Sequence, residues 1–307
     1  MVETALLRCV SSALGHPVAS LLGLPFPPPQ PVRCFYTVGM AESAEALASD
    51  VAYGTARTSY LKFKVGRDVS QIRAIFLHLD GAGVLVPGVR HVALDANCSW
   101  SAAFAMEVLT RIDAKHLAHV FMIEQPFPFD MPFTARQHPH PHPHPEEDAE
   151  NAENAENAED GKGGKGGDVA GWIEFKRCCT ERGICVYADE SMRTHADVLP
   201  LVPFCHGVNI KLEKAGGYRE AKLAAAACGR SGLRVWMGCM VGSALNCNVI
   251  ADVLAMCDSG SADLDGFMLV TPECQPCEPT FALGGREGEG EGERDTRGWI
   301  AHALRGK

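Results

Sequence analysis

The 307-residue chain is short of basic charge. Its 28 lysines and arginines stand against 38 aspartates and glutamates, a net charge of -10. No basic stripe interleaved with aromatics runs along it, and that balance excludes a nucleic-acid surface. Long apolar runs are missing as well. None reaches the about 20 residues that a membrane span needs, so no membrane partner is expected. The opening Met1-Val2-Glu3-Thr4 carries neither the basic nor the apolar region of a secretory signal. Paired zinc-ligand spacings are absent. Cys274 and Cys277 form one CxxC without a second pair, and a loop coincidence accounts for it better than zinc or redox chemistry. The 13 cysteines are scattered through core-like runs, which reads as reduced thiols in an intracellular, cytoplasmic protein.

What is present is an ordinary globular balance, 46% hydrophobic and 21% charged. The length suits one large or two ordinary domains. Residues 1–30 read as a linking helix and a proline-rich connector. Ala5, Leu6, Cys9, Val10, Ala13 and Leu14 make the helix's apolar stripe, and Gly15 stops it. Residues 31–270 then alternate. Strands are expected over 32–39, 60–65, 91–96, 120–125, 184–188, 207–212, 234–240 and 264–270, with helices between them. Ser99 is the candidate N-cap of the helix over 102–115. The strands are near-continuous apolar runs, as in a parallel sheet buried on both faces. Eight such repeats point to a closed α/β barrel, with a doubly wound sheet as runner-up. Polar residues end six different strands. That favours the barrel, whose sites lie on its C-terminal face. Residues 131–168 interrupt the pattern with His138, His140, His142 and His144 alternating with prolines, then Glu-Asn-Ala repeats. This composition cannot bury a core and is expected to be a disordered insertion, a lid or a tolerated loop. Residues 271–307 read as a loose Gly/Glu-rich tail.

The strand ends carry the chemistry. On the strand over 60–65, Lys62 and Lys64 face one way and Phe63 the other. Asp95, Glu124 and Asp189 close three further strands. Three carboxylates meeting in one mouth repel unless a cation neutralises them, and oxygen-only ligands suit Mg2+ first and Mn2+ second. A substrate carboxylate on such a cation has an acidified α-carbon, whose proton leaves to give a metal-stabilised enediolate. A lysine can take that proton if its pKa is lowered. Lys64 and Lys211 sit on strands that lie across a closed barrel, so they would flank a substrate. Asp263 and Asp265, read as the start of the last strand, could bind an ammonium group.

In order, Leu61-Lys62-Phe63-Lys64-Val65-Gly66, Asp95-Ala96-Asn97, Ile123-Glu124-Gln125-Pro126, Ala188-Asp189-Glu190-Ser191, the run from Asn209 to Gly217 and Gly238-Cys239-Met240 form an ordered set. The set resembles the enolase superfamily in its muconate lactonising subgroup, and most the dipeptide epimerases of the L-Ala-D/L-Glu type. The resemblance implies a (β/α)7β barrel with Mg2+ on Asp95, Glu124 and Asp189. It implies Lys64 and Lys211 as acid/base catalysts, Lys62 as electrostatic helper, and Asp263 and Asp265 on the dipeptide ammonium. The activity implied is a 1,1-proton transfer at the α-carbon of the C-terminal residue, in a chain that forms homo-oligomers. N-acylamino acid racemase, o-succinylbenzoate synthase, cycloisomerase or a truncated inactive barrel are the alternatives. Two departures stand out: the family's N-terminal α+β capping domain is largely missing, and Gly242 stands where the family often has Glu.

Overall fold

The computed structural model describes residues 2–29, 32–129, 168–284 and 299–302. Short apolar runs bounded by turns give the strands β1 Arg33–Cys34, β2 Tyr36–Val38, β3 Leu61–Lys64, β4 Val92–Asp95, β5 Val120–Glu124 and β6 Cys185–Ala188. They continue as β7 Gly207–Lys211, β8 Arg234–Gly238, β9 Ser261–Asp263, β10 Phe281–Gly284 and β11 Trp299–His302. From β2 to β9 each strand pairs in parallel with the next.

β1 and β2 are two halves of one strand broken at Phe35. β1 pairs with β9, and β2 pairs with β3. At the break, Phe35 N donates to Ala262 O and Tyr36 N to Tyr60 O, each at 2.9 Å. One strand thus serves both edges of the sheet, and the ring closes into the expected α/β barrel.

Helices Ala44–Thr55, Val69–Gly81, Ala102–Arg111, Val169–Glu181, Tyr218–Ser231 and Ala244–Ala251 return the chain from one strand to the next. Ser43, Asp68, Ser101 and Asp168 cap four of them with side-chain oxygens. Ser101, not the expected Ser99, therefore starts the helix after β4.

Alternation along each strand splits the core in two. Phe63, Leu94, Ile123, Val186, Val208 and Val235 point outward and pack under the helices. Phe35, Ala93, Met122, Tyr187 and Trp236 point inward and fill the barrel floor. Phe35 meets Trp236 edge-on with ring centroids 5.6 Å apart. Gly207 is required here, because a Cβ would run into the Tyr187 ring. The aromatic floor leaves the C-terminal mouth as the polar end.

Two expectations need correction. The last barrel strand is Ser261–Asp263, and 266–268 is a short 3-10 turn. Asp263 therefore ends the strand instead of starting it. Strand pairing with β1 and β8 outweighs the apolar run over 266–270. The tail expected to be loose also carries β10 and β11, an antiparallel pair joined to the edge of β1. Phe281 explains part of this, since its ring packs on Phe267 at 5.9 Å. The His-Pro and Glu-Asn-Ala insertion lies outside the described residues.

Candidate active site

Register decides which side chains share a level. Across the sheet, Lys64 aligns with Asp95 and Asp95 with Glu124. On the other side Lys211 aligns with Gly238 and Gly238 with Asp263. These rows lie at the C-terminal ends of the strands, directly above the aromatic floor.

Lys62 is the hub. It is 3% exposed. Its Nζ lies 3.2 Å from Glu124 Oε2 and 3.7 Å from Asp95 Oδ2, and it donates to Asp263 Oδ2. Burial works against its charge, but Asp263, Glu124 and Asp95 more than offset that and hold its pKa well above the ordinary lysine value. Lys62 is thus held as a cation among three carboxylates.

Glu124 is fully buried, and Asn209 Nδ2 donates to its Oε1 at 2.6 Å. Gly238 makes room for that amide, since a Cβ would collide with it. Burial pushes the Glu124 carboxyl up to about 8; Lys62 pulls it back, while Asp95 and Asp189 add to the rise. Asp189 behaves oppositely. Burial alone would raise it, yet Lys211 at 2.8 Å and Lys214 on its other oxygen hold it well below the usual range. The Gln125 side chain fixes this strand end by accepting from Asp189 N at 2.7 Å.

The two expected acid/base lysines differ in setting. Lys211 is mostly buried and tied to Asp189; burial lowers its pKa, but Asp189 raises it above the ordinary value. Lys64 is 40% exposed at the mouth, with Asp95 Oδ2 at 3.5 Å and Asn97 Oδ1 at 2.9 Å. Asp263 and Asp265 are both buried. Asp263 already receives Lys62, and Asp265 accepts from Thr37 N at 2.5 Å.

Asp95, Glu124 and Asp189 sit on neighbouring strand ends, but each is turned towards a lysine. Among the described residues no group of acids, histidines or cysteines stands ready as a metal cage. The donor chemistry nonetheless fits a hard divalent cation: three carboxylates, with the buried Glu190 Oε2 and Asn209 Oδ1 lacking a hydrogen-bond partner among the described residues. Reading the sequence gave no role to Asn209, Lys214, Thr37 or Glu190. Two of them had a signal: Asn209 lies two residues before Lys211 on the same strand face, and Lys214 one helical turn beyond it.

No protein-family model matches the chain. An enolase superfamily member of Dictyostelium discoideum is 28% identical over 278 residues, 89% of this chain and 58% of that protein. The L-Ala-D/L-Glu epimerase of Bacteroides thetaiotaomicron is 24% identical over 281 residues, 88% of this chain and 58% of that protein. The chain therefore spans under two thirds of the length of these curated relatives. A crystal structure of a dipeptide epimerase from Enterococcus faecalis, complexed with Mg and the dipeptide L-Leu-L-Tyr, matches with a TM-score of 0.65 at 19% identity, covering 96% of this chain and 67% of that one. The barrel, the order of its charged strand ends and this likeness along most of the chain agree: the chain is similar to an enolase superfamily member and to an L-Ala-D/L-Glu epimerase, and it shares its fold with the dipeptide epimerase structure.

Proposed function

We propose that this chain is an isomerase, a Mg2+-dependent epimerase that inverts the α-carbon of the C-terminal residue of a dipeptide. One observation carries the reading. β3 and β7 stand on opposite sides of the ring, with β4, β5 and β6 between them one way and β8, β9 and the β1/β2 strand the other. Lys64 and Lys211 end those two strands and so face each other across the mouth.

Asp95, Glu124 and Asp189 would hold Mg2+, which supplies the positive charge that anchors a substrate carboxylate and acidifies the α-carbon. The neutral amine of one lysine takes the α-proton from one face. The ammonium of the other returns a proton to the opposite face, so one C–H bond breaks, one forms and the net charge is unchanged. Lys62 keeps a fixed positive charge beside the acids. Asp263 and Asp265 form the acidic end that would receive the dipeptide's ammonium. One observation favours a second reading, an N-acylamino acid racemase: Asp263 is already paired with Lys62, and an N-acyl substrate brings no ammonium to compete for it.

The test is α-proton exchange in deuterated water with Mg2+, followed by NMR on a set of L,L-dipeptides that includes Ala-Glu, alongside N-acyl amino acids. Exchange with inversion on dipeptides is expected. Lys64→Ala and Lys211→Ala should each slow inversion by about 100- to 10,000-fold. Exchange confined to N-acyl amino acids would favour the second reading, and no exchange on either class would overturn both.

A further inference from the structure

The two facing lysines are not held alike. Lys211 is mostly buried and ion-paired at 2.8 Å. Lys64 is far more exposed, and a long, flexible side chain at a mouth wanders unless something fixes it. Among the described residues two groups reach its ammonium: Asp95 Oδ2 at 3.5 Å and Asn97 Oδ1 at 2.9 Å. Asp95 is one of the proposed cation ligands, so its charge is committed there. Asn97 is neutral and takes no part in that set.

Asn97 is itself built in. Its backbone lies in the left-handed region with φ 40°, and Cys98 follows at φ 64°. Asn tolerates that region better than other residues with a Cβ, because its short amide bonds locally. Its backbone N donates to Asp95 Oδ1 at 3.1 Å, and Cys98 N donates to Gln125 O at 2.8 Å. Its side-chain Nδ2 donates to Glu190 Oε1 at 3.0 Å. With Nδ2 held by a carboxylate, the amide cannot flip, and Oδ1 is left facing Lys64.

We infer that Asn97 is the positioning residue for Lys64, an amide clamp anchored by Glu190 that keeps the amine over one face of the substrate. This rests on the two-lysine reading above. It adds an asymmetry that the reading alone does not contain: one of the two proton transfers depends on Asn97, and the other does not.

The test uses the full chain and the two epimers of one dipeptide, each followed separately for deuterium uptake. Lys64→Ala first identifies the epimer whose proton Lys64 takes. Asn97→Gly keeps the left-handed turn without the amide, and Asn97→Ala serves as a second variant. In both, uptake by the Lys64-dependent epimer should fall about 10- to 100-fold. The other epimer should exchange within about twofold of wild type, since misplacing one base leaves its opposite alone. A merely structural role would slow both epimers together, and that outcome overturns the clamp. A readout without metal or substrate accompanies it. In protein carrying 13C-lysine, the Lys64 side chain should be ordered in wild type and mobile in Asn97→Gly, and equal mobility overturns the clamp. If Lys64→Ala itself leaves both epimers exchanging at the wild-type rate, the two-lysine reading fails and takes the clamp with it. If Lys64→Ala acts on one epimer while both Asn97 variants behave as wild type, the reading stands and the clamp alone is refuted.

Discussion

Lys62 shows what a single buried charge does here. Its ammonium is shared by Glu124, Asp95 and Asp263, all buried. Removing it leaves three carboxylates without their counter-charge, and breaking a buried ion pair in this way costs about 3–5 kcal/mol. Lys62→Met, close in length but uncharged, should lose stability of that order in urea titrations. Added Mg2+ should then raise the variant's midpoint more than the wild type's, because the cation supplies charge that the variant lacks. An equal rise in both would mean that the acids are not sharing that charge. Asp265 offers a pH test at the same scale. Burial, then the charge of Asp263, pushes its carboxyl from 3.8 up to about 8. A pKa raised on folding means that the native state keeps a proton the unfolded chain has lost. The stability from that proton is complete below 3.8 and gone once pH passes about 8. Asp265→Asn carries no such proton and still offers an oxygen to Thr37 N. Relative to wild type it should gain stability steadily from pH 4 to pH 8; a flat difference would show that Asp265 ionises normally.

At the scale of elements, the junction of β6 and β7 turns on His206. Its Nδ1 accepts from Val186 N at 2.9 Å, which leaves the proton on Nε2, 2.8 Å from Thr180 Oγ1. Burial, then the charges of Lys176 and Arg234, push its pKa from 6.5 down to about 4. A depressed histidine stabilises the fold fully above 6.5, and that contribution is lost as pH falls from 6.5 to about 4, because the unfolded chain takes the proton first. Melting curves of wild type should fall through this window, and His206→Gln should flatten the fall. Neither the depressed histidine nor the strand junction it serves is visible as a pattern. The strands that were legible either alternate apolar and charged residues, as Leu61–Lys64 does, or run apolar into a charged end, as Val92–Asp95 does, so both periodicity and chemistry marked them. Ser261–Asp263 is three residues long with one hydrophobic side chain, and the apolar run beside it drew the expected strand three residues too late at its start and seven too late at its end. Partnership, here with β1 and β8, is a non-local fact that composition does not hold. The pairing of Asp263 with Lys62 was hidden for the same reason: it joins residues 201 positions apart.

At the scale of the molecule, the ring and the site are one arrangement. Closure at Phe35 sets the strands so that every charged end reaches the same mouth, and the aromatic floor shuts the other end. The β10–β11 pair attaches outside this ring, at the edge of β1. Site and hairpin should therefore contribute to stability independently. A cation that binds only the folded chain stabilises it by about 2.7 kcal/mol at 100 times its dissociation constant, a rise of roughly 5–10 °C in melting temperature for a chain of this size. Mg2+ should produce a rise of that order in wild type and much less in Glu124→Gln. Phe281→Ala unpacks the hairpin from Phe267 and should lower the melting temperature on its own account. In that variant the increment from Mg2+ should survive intact. A calorimetric scan of the three proteins with and without Mg2+ separates the cases. If Phe281→Ala also loses the Mg2+ increment, the hairpin supports the mouth and is not an independent addition to the ring.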